Sequence, residues 1–371
     1  MKNIVVGSGI SGIVIANLLA ENGEDVTIVE KRKEIGGNCH DYTDFNTGIH
    51  VHKYGAHIFH TNSEKVWKYV SRFSEWNDYS HRVNVVINSE NVNIPFNLNS
   101  IKKCFEPELA EKYINKIIEK YGMENKISIL ELKKTNDNDL KNLADFIYKK
   151  VFEGYTIKQW GLKPEQIDLS VTARVPVFIS YNNSYFQDKY QKMPKFGYTE
   201  MFKNMLNHKN IKVILGQSFK EFLKNNNISD TRIIYTGSID EYFDYKYGVL
   251  PYRSLTFDIE TNNQEYFQPV AVTNYPNDKD YTRITEHKHF LDEKADKTVV
   301  SKEYSHEFQL NKNERYYPIK NEKNEELYKK YLNEAKKYKN LYFAGRLGEY
   351  KYYNMDEAIL AAINLTESIL K

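Results

Sequence analysis

A chain of 371 residues is too long for one small core and is expected to fold as two or three domains. Hydrophobic residues at 41%, charged residues at 27% and a net charge of +2 describe an ordinary soluble globule, and no basic block stands out against the 50 acids, which argues against a nucleic-acid partner. Only two cysteines, Cys39 and Cys104, are present, and neither a signal sequence nor a run of about 18 apolar residues is found, so no disulfide framework, no metal site and a cytoplasmic location are expected.

The chain opens on an apolar strand over 2–6 that runs into Gly7-Ser8-Gly9-Ile10-Ser11-Gly12, with a helix expected over 13–22 and a second apolar strand over 26–29 ending in Glu30. This is a dinucleotide fingerprint in register. Gly7 permits the tight turn, Gly9 lets a pyrophosphate approach the backbone, Gly12 lets helix and strand pack closely, and Glu30 can accept the ribose hydroxyls. A hairpin is expected over 82–96, then helices over 108–121 and 139–152, which read as a helical lobe inserted between strands. Short tyrosine-rich strands are expected over 171–185, a helix over 197–206, and strands over 211–215 and 232–235. Strands alternate with turns from 240 to 318, and the Lys/Glu-rich segment 321–339 reads as a solvated helix face.

Two features specify the dinucleotide. Gly36-Gly37-Asn38, a few residues past Glu30, resembles the flavoprotein extension of the fingerprint, although a plain Gly-Gly turn is the bland alternative. Near the C-terminus, a buried strand over 340–344, Gly345-Arg346 and an amphipathic helix over 355–369 resemble the return that covers the flavin in many flavoproteins. FAD is therefore the expected cofactor. The expected fold class is α/β, an FAD-binding Rossmann-like domain (1–75, 190–238 and 316–371) carrying an inserted helical domain (98–170) and an antiparallel sheet domain (76–97, 171–189 and 239–315).

The distinctive stretches lie outside the fingerprint: HKYGAHIFHT at 52–61, GYTIKQWG at 154–161, YTRITEH at 281–287, Tyr316-Tyr317-Pro318, and GRLGEYKY at 345–352. Together, in order and spacing, they closely resemble the bacterial-type UDP-galactopyranose mutases over essentially the whole chain. The resemblance implies an isomerase that interconverts UDP-galactopyranose and UDP-galactofuranose on reduced FAD, with no net redox change, supplying galactofuranose for cell-surface glycans. It implies that flavin N5 attacks the anomeric carbon, UDP leaves, the adduct opens as an iminium, the sugar recloses through its other hydroxyl and UDP returns. A UDP-sugar substrate, an external reductant and a homodimer are implied with it.

The resemblance also assigns residues. Arg174 and Arg283 would hold the diphosphate, as guanidinium makes two-pronged bonds to phosphate, with hydroxyls of Tyr185, Tyr317 and Tyr352. Taken singly, each arginine reads as a surface ion pair. Phe152, Tyr155, Thr156 and Trp160 would frame the uridine and sugar, with lobe core packing as their bland alternative, and Asn274 joins the substrate set. His57 and His60 would lie near the flavin, His60 closest to the reacting atoms, rather than form a metal pair; a structural histidine remains open. Ser11, Lys31, Asn38, Ile58, Arg253, Arg346, Tyr352, Asn354 and Met355 complete the cofactor set beside Gly7, Gly9, Gly12, Glu30, Gly37 and His57.

Asn354 stands where the family usually has an acid; Asp356 would compensate, or Asn354 would simply cap the last helix. The resemblance also implies a mobile loop after Trp160 that closes over the nucleotide, so UDP should protect amides over 162–174 from exchange. The rivals are an amine-oxidase-type flavin oxidoreductase, a non-catalytic flavin sensor, and a relative that takes UDP-N-acetylgalactosamine.

Overall fold

The apolar runs KNIVV, DVTIVE, IKVIL, TRIIY and LYF align as one parallel sheet in the computed structural model, which describes residues 2–162 and 176–371. The strand order is Ile211–Leu215, β2 (Asp25–Glu30), β1 (Lys2–Val6), Thr231–Tyr235 and Leu341–Phe343. Strands covered on both faces lose the polar alternation of half-exposed ones, which is why these read as continuous apolar runs. The chain divides into two units, one of residues 1–79, 188–254 and 308–371, the other of residues 80–187 and 255–307. The parallel sheet belongs to the first.

Helix α1 (Ile10–Glu21) follows β1 directly and packs against the sheet and against the terminal helix Met355–Leu370. It is buried on most sides, through Ile13, Val14, Ile15, Ala16 and Leu19. The helix starts three residues earlier than the sequence pattern suggested, since Gly12 lies inside its first turn. Asn354 caps the terminal helix, and Glu357 reaches back to accept the Asn354 backbone N–H at 2.7 Å. The tyrosine richness has a structural share. Tyr252, Tyr331 and Tyr350 are fully buried, and their hydroxyls donate to the carbonyls of Leu347 (3.2 Å), Gly248 (2.6 Å) and Pro251 (2.7 Å). The Lys/Glu-rich segment forms the helix Glu322–Ala335, but it is not wholly a solvated face, because Tyr331 and Glu334 are buried.

The second unit combines helices with an antiparallel sheet. Its helices are Leu98–Cys104, Pro107–Tyr121, Ile129–Leu132 and Asn138–Ile147; the last runs through a π-helical turn, Tyr148–Glu153, into Gly154–Trp160. Its strands follow Thr298–Glu307, Arg283–Glu286, Val272–Asn274, Val83–Ile87 and Glu90–Ile94. Pairing is antiparallel except between 272–274 and 83–85. The strands expected over 171–185 reduce, among the described residues, to Val177–Phe178. Beyond it the backbone turns, with the Asn99 and Asn97 amides donating to the carbonyls of Tyr181 and Asn182, both at 2.9 Å.

Candidate active site

Between β1 and α1 the glycines leave room that no other residue would. A Cβ on Gly12 would strike the Gly7 carbonyl oxygen, and one on Gly37 would come within 2.8 Å of Gly9 Cα. Gly7 and Gly37 have φ of 100° and 57°, in the left-handed region that favours glycine. The N-terminus of α1 carries no side-chain cap and no acid in its first turn, so its amides and dipole face an adjoining cavity of about 580 Å³. Glu30, 5% exposed, lines that cavity. One of its oxygens accepts from the Ser8 backbone N–H at 2.7 Å and from Ser8 Oγ at 2.8 Å; the other accepts from the Arg32 N–H at 2.8 Å. A fixed carboxylate, bare helix amides and a glycine floor fit the adenosine, diphosphate and ribityl parts of FAD.

Gly7, Gly9, Ser11, Gly12, Glu30, Lys31, Gly37, Asn38, His57, Arg346, Asn354 and Met355 line the cavity; Ile58, Arg253 and Tyr352 do not. Tyr352 and Tyr317 stand next to it instead, with ring centroids 5.0 Å apart and the Arg346 guanidinium over both, at 5.4 and 5.1 Å. Arg253 is buried, and its strand pairs it with Tyr317. Burial brings the His57 imidazole down to about 4, with the Arg346 charge acting in the same direction against a Gly55 carbonyl contact, so the ring is neutral near pH 7. Burial likewise pushes the Cys39 thiol up to about 12.

His60 sits on the strand Phe59–Thr61, beside the start of the terminal helix. Its Nδ1 lies 3.0 Å from Asp188 Oδ2, and the Asn62 amide donates to Asp188 Oδ1 at 2.8 Å, so the carboxylate that orients the ring is itself held. Burial raises the nearby Asp356 carboxyl above the usual range.

In the second unit, Arg283 follows from the strand pairing that sets it opposite Asn274. Arg283 Nη2 donates to the Tyr155 hydroxyl, and Nε forms an ion pair with Glu303 at 3.3 Å. Thr282 Oγ1 donates to the same Glu303 oxygen at 3.1 Å. Phe152, Thr156 and Trp160 are buried along the helical run that presents Tyr155, while Tyr185 packs edge-on against His81 at 5.6 Å. The expected substrate residues are thus divided: His60, Tyr317 and Tyr352 in the first unit, the others just named in the second. Arg174 and the amides over 163–174 lie outside the described residues.

Sequence reasoning missed several cavity residues: Ser218, Phe219, Thr236, Gly237, Glu241, Tyr245 and the segment 310–316. Thr236-Gly237 carried a signal, a glycine two residues past the end of an apolar strand, much as Gly7 follows Val6. In the segment 310–316 only Tyr316 carried one, through the Tyr316-Tyr317-Pro318 stretch.

The profile of the family described as UDP-galactopyranose mutase matches residues 150–352, and that of an NAD(P)-binding Rossmann-like domain matches residues 5–73. A probable UDP-galactopyranose mutase of Klebsiella pneumoniae is 40% identical, covering 100% of this chain and 95% of that protein. The chain belongs to the UDP-galactopyranose mutase family. It is an isomerase by that membership. Another member, from Mycoplasma genitalium, is 38% identical over 99% of the chain and 94% of that protein. A dTDP-fucopyranose mutase of Escherichia coli is 36% identical over 100% and 98%. The family fold is reproduced as well: a reduced UDP-galactopyranose mutase crystal structure superposes with a TM-score of 0.70 at 14% identity, covering 100% of this chain and 95% of that one. Among the described residues, no helix is long and apolar enough to cross a membrane.

Proposed function

We propose that this protein interconverts UDP-galactopyranose and UDP-galactofuranose with FAD in its reduced form. The observation that carries the reading is Arg283, a guanidinium oriented by Glu303 and Tyr155 on the strand that also pairs it with Asn274. Such a fork suits a diphosphate that must leave and return during one turnover.

When bound, reduced FAD would supply nucleophilic chemistry toward the sugar's anomeric carbon. The chain's own residues do the rest. Gly7, Gly9, Gly12 and the α1 amides would hold the cofactor's diphosphate, and Glu30 its ribose. Neutral His57 stands at the cavity wall without adding a second positive charge beside Arg346. By resemblance, Arg283 and Arg174 would bind the departing diphosphate and Tyr185 would offer its hydroxyl to it; the same resemblance assigns Tyr317 and Tyr352 to the substrate. Tyr155 and Trp160 frame the uridine, with Phe152 and Thr156 behind them. Asp188 fixes the facing of the His60 ring near the reacting sugar. A cytoplasmic homodimer, supplied with electrons by an external reductant and feeding galactofuranose to cell-surface glycan assembly, completes the proposal.

The dTDP-fucopyranose mutase relative supports one alternative, a related sugar nucleotide. The test is to offer dithionite-reduced enzyme UDP-galactofuranose, the N-acetylgalactosamine analogue and the dTDP-fucose isomers under argon, and to separate the products. Turnover of UDP-galactofuranose at least tenfold above the others is expected; preference for another sugar would reassign the substrate.

A further inference from the structure

The cavity holds a cation that no fingerprint residue accounts for. Arg315 lines it, its side chain only 9% exposed. Nη1 donates to Glu241 Oε2 at 3.2 Å. Nη2 forms an ion pair with Asp240 Oδ2 at 3.7 Å, too long for a hydrogen bond; Tyr245 also lies against the guanidinium, yet neither Nη2 nor Nε makes a hydrogen bond of good geometry. Asp240 is a countercharge to the guanidinium rather than its hydrogen-bond partner. Its carboxylate already accepts from Ser238 Oγ, from the Glu241 N–H at 3.0 Å and from the Leu250 N–H at 2.8 Å. The guanidinium carbon meanwhile lies over Phe308, 4.2 Å from the ring centroid. A buried guanidinium with two nitrogens lacking hydrogen bonds is costly even beside its countercharges, unless an acceptor arrives that the protein itself does not supply.

The surroundings indicate which acceptor. Glu314, the preceding residue, pairs with Lys31 at 2.9 Å and lies 3.8 Å from Arg32. Lys31 directly follows Glu30, the ribose acid, so the segment 310–316 is tied to the adenosine side of the cavity. Ser218, Phe219 and Thr236 line the same cavity, and Arg346 of the C-terminal return lines it as well. We propose that Arg315 is a cofactor-binding residue, its Nε and Nη2 donating to an oxygen of the adenosine diphosphate half of FAD. This rests on the flavin reading above and extends it to a residue outside the glycine fingerprint.

The full-length protein, stripped of flavin, is titrated with FAD, ADP and FMN, following flavin fluorescence and, for ADP, heat. Arg315→Met weakens FAD and ADP by about tenfold to a hundredfold, the range of a lost charge-assisted hydrogen bond, and leaves FMN unchanged. Arg315→Lys keeps the charge beside Asp240 and Glu241, so it preserves the fold if the Met variant does not. Its ammonium, committed to Glu241, lacks the second nitrogen and should still lose about fivefold or more for FAD and ADP. Either folded variant binding FAD and ADP as the wild type does, or losing FMN equally, overturns the assignment. Wild-type protein that binds no FAD at all would reject the flavin reading itself.

Discussion

Replacing Arg283 with Met removes a guanidinium that is 26% exposed while leaving its partner Glu303 only 7% exposed. Two separate losses follow. The diphosphate loses charge-assisted hydrogen bonds worth about 1.5–3 kcal/mol, so UDP affinity should fall by about tenfold to 150-fold. The fold loses the countercharge of Glu303. Breaking a fully buried pair costs about 3–5 kcal/mol, and partial exposure of the arginine reduces this to about 1–3 kcal/mol. Adding Glu303→Gln removes the orphaned charge while keeping an acceptor for Thr282, so the double variant should regain most of the stability and none of the affinity. Denaturant unfolding gives the first quantity and UDP calorimetry the second. A double variant that recovers UDP binding, or a single variant that never lost it, would refute the role of Arg283 as the diphosphate ligand.

Gly12→Val puts a branched side chain against the Gly7 carbonyl and Val5, and the purified protein should be colourless, with no absorbance near 450 nm. Lys288, 1% exposed, donates to the carbonyls of Ala295 (2.7 Å), Lys297 (3.2 Å) and Glu265, so Lys288→Met should cost about 2–4 kcal/mol in urea unfolding while sparing activity per folded molecule. His57, brought down to about 4 from an ordinary 6.5, binds a proton more readily when unfolded; stability of the flavin-free protein should therefore fall as pH drops from 6.5 to 4, and His57→Asn should flatten that part of the profile. Asp188→Ala, which frees the His60 ring, should lower kcat more than it raises KM, whereas a purely structural role would move neither at a temperature where the variant stays folded.

What could be read in the sequence was local. Gly7 to Gly12, Glu30 and Gly37 are close enough together for strand, turn and helix to be recognised as one device, and they meet at one cavity. Gly345-Arg346 and Met355 could be read because an apolar strand and an amphipathic helix flank them. The helix start was misplaced because Gly12, an interior glycine, looked like its boundary. Arg315 and Glu314 gave no signal, as their partners Asp240 and Lys31 are remote in sequence and the segment has no period. The same is true of Asp188, which finds His60 across the pairing of Phe59–Thr61 with 190–192. Tyr331 was hidden in a charged helix, since one buried tyrosine in a Lys/Glu run does not alter its pattern.

The most direct measurement is anaerobic conversion of UDP-galactofuranose by the purified protein, with and without dithionite, counting the reductant consumed. UDP-galactopyranose formed only after reduction, over many turnovers and with no further reductant used, is the predicted result. Conversion by the oxidised enzyme, or one equivalent of reductant spent per product, would contradict it.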